Sequence, residues 1–76
     1  MSAKLPQLRG AVVIKAFENA GFSVVRVSGS HHIMKAAHCP KLLSVPVHGS
    51  KPVKRGTLDG LIKAAGLTVD EFLKLL

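Results

Sequence analysis

The hydrophobic pattern changes period twice along this chain, and that switch restricts the fold more than any other feature. From about Arg9 to Ala20, Val13, Ala16, Phe17 and Ala20 recur at helical spacing and form one apolar stripe. Val12 widens the stripe, and Lys15 and Glu18 fall on the wet side. Gly21 follows at once, where a left-handed C-terminal cap carries no Cβ penalty. Gly10 is a weak helix former, which predicts a start one or two residues later. The period then shortens. Phe22 to Ser28 is rich in Val and alternates imperfectly, as a strand does. Gly29-Ser30 is a turn, and His31 to Ala37 reads as a second strand. On it His31, Ile33 and Lys35 share one face, and His32, Met34 and Ala36 the other. The short link implies an antiparallel hairpin. His38-Cys39-Pro40-Lys41 reads as the next turn, because proline cannot donate to a central ladder. Leu42 to Val47 is the third strand, with Pro46 at an edge or at the strand's end, and residues 48–56 form a basic loop.

The helical period returns near the end. Thr57 is placed to cap a helix whose apolar face is Leu58, Leu61, Ile62 and Ala65, and Gly66 ends it. Thr68-Val69-Asp70-Glu71 is a capping-box signature, and Val69, Phe72, Leu73 and Leu76 stripe a last short helix. The expected architecture is α+β, in the order α-β-β-β-α plus a short C-terminal helix. A three-stranded antiparallel sheet with helices on one face leaves its other face free for a ligand.

With 76 residues the chain is one domain, 1–76, and too short for a Rossmann unit or a TIM barrel. A domain of this size buries only about 60% of the surface its unfolded chain exposes, so a shallow-surface function is expected. The charge is uneven. Residues 1–58 hold nine Lys or Arg against the single Glu18, a net of +8. Residues 59–76 hold Lys63 and Lys74 against Asp59, Asp70 and Glu71, a net of −1. A field of this kind suits a phosphate backbone or an acidic partner; a merely solvated cationic surface is the plainer reading. The lone Cys39 has no internal disulfide partner, and no stretch reads as an export signal or approaches the roughly 20 apolar residues of a membrane span. The cytoplasm is therefore the expected compartment, with no membrane role.

Two polar clusters stand out. Arg26-Val27-Ser28-Gly29-Ser30-His31-His32 surrounds the hairpin turn, and Pro46-Val47-His48-Gly49-Ser50-Lys51 feeds the basic loop. Histidine supplies both acid and base near neutrality, with an unperturbed pKa of about 6.5. RNA cleavage needs little more: the 2′-hydroxyl loses a proton and attacks the neighbouring phosphorus, the leaving 5′-oxygen gains one, and cations steady the phosphoryl oxygens. His31 is the candidate for proton transfer. Arg26, Lys35, Lys51, Lys54 and Arg55 are candidates for holding phosphate, and Ser30 and His48 join them as candidate RNA contacts. The bland alternatives are a capping or surface role for His31, a turn-closing role for His48, and a structural role for His32, which faces away from His31. A zinc site from His31, His38, Cys39 and His48 matches no compact ligand spacing, so no metal or other cofactor is expected. Phe17, Phe22 and Phe72 lie on apolar stripes and read as core. With no Tyr or Trp, base-stacking platforms of the RRM or OB kind are nearly absent.

In this order the motifs resemble the HicA-type toxin family, the YcfA-like mRNA interferases. The resemblance rests on Ala20-Gly21-Phe22, on Arg26-x-x-Gly29-Ser30-His31-His32, and on Val45-Pro46-x-His48. It continues through Lys54-x-Gly56-Thr57-Leu58-x-x-Leu61-Ile62-Lys63-x-Ala65-Gly66-Leu67 and Glu71-Phe72-Leu73, so it spans nearly the whole chain. It implies a fold like the double-stranded-RNA-binding domain. It also implies a metal-independent endoribonuclease that degrades mRNA, with the family's catalytic histidine falling on His31. A HicB-type antitoxin is implied as the partner covering that residue. Val47 departs from the polar or basic residue common between the proline and histidine of the third motif, and Pro52 departs in the basic loop. Two other functions fit the charge: a non-catalytic RNA-binding module, and a basic partner-binding protein without RNA affinity.

Overall fold

The computed structural model describes residues 5–76, so Lys4, one of the cations of the basic half, lies outside the described residues. The elements are α1 (Gly10–Asn19), β1 (Ser23–Ser28), β2 (His31–Ala36), β3 (Cys39–Pro46), α2 (Arg55–Ala64) and α3 (Val69–Leu73). The strands form one antiparallel sheet in the order β1-β2-β3, and α1 and α2 both pack against β3. This is the expected α+β, double-stranded-RNA-binding-domain-like arrangement.

The helical stripe of α1 buries Val13, Ala16 and Phe17, and that of α2 buries Leu58, Leu61 and Ile62. They meet Met34, Ala36, Leu43 and Val45 from the sheet and Phe72 from α3. Phe17 stands at the centre, with ring centroids 5.9 Å from Phe22 and 5.2 Å from Phe72. No polar or charged residue is buried among the described residues, so hydrophobic transfer, at about 25 cal/mol per Å² of apolar surface, holds this core. Leu5 and Val53 complete it from outside the helices and strands.

Gly21 caps α1 with φ 96° and Gly66 follows α2 with φ 79°, both in the left-handed region that glycine enters freely. The capping box of α3 is complete: the Glu71 N–H donates to Thr68 Oγ1 at 3.1 Å, and the Thr68 N–H donates to Glu71 Oε1 at 2.8 Å.

Four local expectations are corrected. Helix α1 begins at Gly10 itself, and glycine is there because a side chain has no room: a Cβ would sit 2.5 Å from the Pro46 carbonyl oxygen and 2.9 Å from Val47 Cα. The second turn is only Ala37-His38, and Cys39 and Pro40 already belong to β3. Pro40 is tolerated because β3 is an edge strand and the β2–β3 register is irregular between Met34 and Ala36. Thr57 does not cap α2. The helix starts three residues earlier than that cap implies, at Arg55, with Lys54 at the cap position and no side-chain cap bond. Val53 is buried and its N–H donates to the Leu8 carbonyl at 2.7 Å, which fixes the chain where the helix begins. Leu76 is 53% exposed, since α3 stops at Leu73 and the stripe does not continue to it.

The imperfect alternation of β1 also has a physical origin. Its register shifts between Val24 and Arg26, so Val25 is an extra residue in the ladder. Past that bulge, Arg26 pairs with Ile33 and Ser28 with His31. On the other side, Ile33 pairs with Ser44 and His31 with Pro46. Directly paired residues share a face. The sheet face turned away from the helices therefore carries Ser28, His31 and Pro46 in one row, and Arg26, Ile33 and Ser44 in the next.

Candidate active site

His31 is the first residue of β2, immediately after a two-residue turn. Gly29 occupies the first central position of that turn with φ 59°, the backbone that tight hairpins require. The imidazole is exposed on the open face, and its Nδ1 lies 3.0 Å from Ser44 Oγ. That contact follows from the register: His31 and Ser44 are diagonal neighbours on adjacent strands.

A second tight turn faces the first. In His48-Gly49-Ser50-Lys51 the Lys51 N–H donates to the His48 carbonyl at 3.1 Å, and Gly49 has φ 60°. The two turns are joined, since the Val47 N–H donates to the Ser30 carbonyl at 2.7 Å. The path of the second turn is fixed from below by Gly10, where Val47 Cα and Cγ2 would each lie 2.9 Å from any added Cβ. Val47 is thus half-buried against the start of α1, which accounts for an apolar residue between Pro46 and His48.

Between these turns and the start of α2 lies an open cavity of about 690 Å³. His31, Ser44 and Pro46 form its sheet side, and His48, Lys51 and Pro52 come from the turn. Val53, Lys54 and Thr57 close it from the α2 side. No Asp or Glu lines it. The first N–H of α2 with an intrahelical partner is that of Leu58, which donates to the Lys54 carbonyl at 2.9 Å. The free N–H groups before it, with the helix dipole, favour an anion at this end. Thr57, within the first turn of α2 and not its cap, lines the cavity.

Four candidates read from the sequence, His31, His48, Lys51 and Lys54, surround this one cavity. The other four stand elsewhere. Arg26 shares the open face but sits on β1, across Ile33 from Ser44. Lys35 is at the far end of the sheet, beside a groove with Ser23 and Pro40. Arg55 faces a different groove with Pro6 and Gln7. Ser30 is half-buried in its turn, and its carbonyl accepts from Val47. Sequence reasoning missed Ser44 as a site residue. The signal was present: Ser44 is the one polar residue in Leu42-Leu43-Ser44-Val45, two positions from Pro46 and so on the same strand face. Thr57 was legible only as a cap.

The remaining histidines and the cysteine lie outside the cavity lining. His32 faces the helix side, paired with Val27 and Val45, and its Nδ1 is buried without a hydrogen-bond partner. His38 is a turn residue with its ring edge-on to Phe22, centroids 5.5 Å apart. Cys39 is buried, with Sγ 3.4 Å from the Ala64 carbonyl oxygen. Among the described residues no three His, Cys, Asp or Glu side chains form a group that could hold a metal ion. No helix among them is long and apolar enough to cross a membrane.

Comparison with known proteins places these features in a family. A search of curated proteins gives no match. A family model described as the HicA toxin of bacterial toxin–antitoxin matches residues 10–67, from the first residue of α1 through the end of α2. That span contains both turns, the cavity and His31, and on this match the chain belongs to the HicA toxins of bacterial toxin–antitoxin systems.

Proposed function

We propose that this toxin is a metal-independent endoribonuclease acting on mRNA, with His31 as its catalytic residue. A HicB-type antitoxin is the proposed partner and the cytoplasm the proposed compartment. The observation that carries the reading is the exposed His31 imidazole at the edge of an acid-free cavity shared with His48, Lys51 and Lys54. An open cleft of this kind admits a polyanionic strand.

In the proposed reaction His31 takes the proton of a 2′-hydroxyl. The freed oxygen attacks the adjacent phosphorus, and the bond to the 5′-oxygen of the next nucleotide breaks. The products are a 2′,3′-cyclic phosphate and a 5′-hydroxyl. The leaving oxygen needs a proton, and His48 on the same cavity is the candidate donor. Lys51, Lys54 and the first N–H groups of α2 stabilise the phosphoryl charge. The same basic surface is what an antitoxin has to cover to stop the reaction.

The test is to incubate wild type and His31→Ala with single-stranded RNA in the presence of EDTA. Cyclic-phosphate product from the wild type alone is expected, with growth arrest lost in the variant. His31 is exposed, so the variant keeps its fold. Cleavage by His31→Ala at the wild-type rate would remove His31 from the mechanism. Salt-sensitive RNA binding by the wild type without product would leave the chain a binding module.

A further inference from the structure

We propose that Ser44 is the positioning residue of His31, holding the ring so that Nε2 is the nitrogen that exchanges protons in the cavity. This deepens the reading above and rests on it for its effect on rate. Its structural half stands independently on the 3.0 Å contact between His31 Nδ1 and Ser44 Oγ.

The imidazole has two nitrogens, and a base must present one of them bare. Nδ1 is engaged by Ser44, which leaves Nε2 for substrate. For Nε2 to be bare in the neutral ring, the proton must sit on Nδ1. A hydroxyl oxygen accepts that Nδ1–H bond, and it accepts it equally once Nε2 has also been protonated. One contact therefore serves the whole cycle: Nε2 takes the 2′-hydroxyl proton, the ring becomes imidazolium while His48 protonates the leaving oxygen, and Nε2 then releases its proton to solvent with the ring unmoved. Without an acceptor at Nδ1, the neutral ring reverts to its intrinsically preferred tautomer, with the proton on Nε2, and is no longer a base there.

The choice of serine over a carboxylate has an electrostatic reason. An acidic side chain at this position would bind Nδ1–H more strongly, but it would add negative charge where RNA phosphate has to approach. The charged or titratable groups around the ring are His48 and Lys51 from the turn, Lys54 from the start of α2, and Arg26 on β1 across Ile33, and none of them is acidic. The Ser44 hydroxyl can accept from Nδ1–H or donate to a bare Nδ1, the tautomer deciding which, and as acceptor it serves the base without breaking that pattern. It also sits on a rigid element, since β3 is held by the β2 ladder on both sides of it.

The test reads the ring directly. With histidine nitrogens labelled with ¹⁵N, the side-chain shifts of neutral His31 are expected to report the Nδ1–H form in wild type and in Ser44→Thr, and the Nε2–H form in Ser44→Ala. Ser44 is exposed, so its truncation leaves the core intact, and matching thermal melts check this. On RNA, Ser44→Ala is expected to lose about 10- to 100-fold in kcat with KM little changed, up to the roughly 100-fold that a 1 Å misplacement of a catalytic group costs. Ser44→Thr restores the rate. An unchanged tautomer in Ser44→Ala overturns the proposal, and so does a wild-type kcat in that variant when His31→Ala is inactive. If wild type cuts no RNA, the functional reading falls, and the tautomer shift alone upholds or overturns Ser44 as the residue that holds the ring.

Discussion

Gly10→Ala isolates how the helix start shapes the wall of the candidate site. In an open helix, replacing glycine by alanine stabilises by about 0.5–1 kcal/mol through backbone entropy. At Gly10 the new Cβ would lie 2.5 Å from the Pro46 carbonyl oxygen and 2.9 Å from both Val47 Cα and Val47 Cγ2. Contacts under 3.0 Å are essentially never made by a Cβ, so α1 and the end of β3 must separate by at least about half an ångström. The obstacle is backbone, not the tip of a flexible side chain, and overpacking of this kind costs about 1–3 kcal/mol. Gly60 provides the reference. It lies in α2, is exposed, and has nothing within 4 Å of its would-be Cβ. Gly60→Ala shows the entropic gain alone, and the gap between the two variants measures the clash. Thermal melts should separate them by about 4–8 °C per kcal/mol for a domain of this size, with Gly10→Ala below wild type and Gly60→Ala above it. Activity gives a second readout. Pro46 pairs with His31 and Val47 leads into His48, so under the proposed ribonuclease function Gly10→Ala should lower RNA cleavage even where it is fully folded. Equal stabilisation by both substitutions would refute the packing argument.

Two further outcomes follow from other parts of the fold. The Glu71 carboxyl is held below the ordinary glutamate range, first by the Thr68 backbone N–H, then by the Thr68 side chain, with Lys74 adding a smaller pull against slight desolvation. A carboxyl with a lowered folded-state pKa contributes stability above the ordinary glutamate range, and that contribution is lost as pH falls through the lowered value. Urea melts from neutral to acid pH should show a loss in wild type that is reduced in Glu71→Gln, while Thr68→Ala costs about 1 kcal/mol at neutral pH. For RNA affinity, Lys51→Ala and Lys54→Ala should each reduce the slope of log affinity against log salt by about 0.7, the single-strand value per phosphate contact. Lys35→Ala, on the far groove, should leave that slope unchanged.

Local rules reached most of the architecture and part of the site. The stripes of α1 and α2, the capping box at Thr68 and Glu71, and the turn at Gly29 were all readable, because each depends on residues within a turn or two of one another. The same reach put His31 on the strand face opposite to His32, since strand alternation needs no partner. Reasoning by propensity erred at Gly10, Cys39-Pro40 and Thr57, and in each case a distant segment decided the outcome. Pro46 and Val47 select glycine at the helix start, the irregular β2–β3 edge accommodates the proline, and the bond from Val53 to Leu8 starts α2 early.

The sequence by itself determined the element order, the apolar stripes, the basic character of the first 58 residues and the histidine at the hairpin turn. Only the tertiary structure decided which cations stand near that histidine. Lys51 and Lys54 reach the cavity because β3 lies beside β2 and the following turn folds back toward α2, while Lys35, four residues from His31 along β2, is carried away by the rise of the strand. Ser44 meets His31 for the same reason. Separation along the chain says little about separation across a sheet, where register brings together residues 13 positions apart and an extended strand parts residues only four apart.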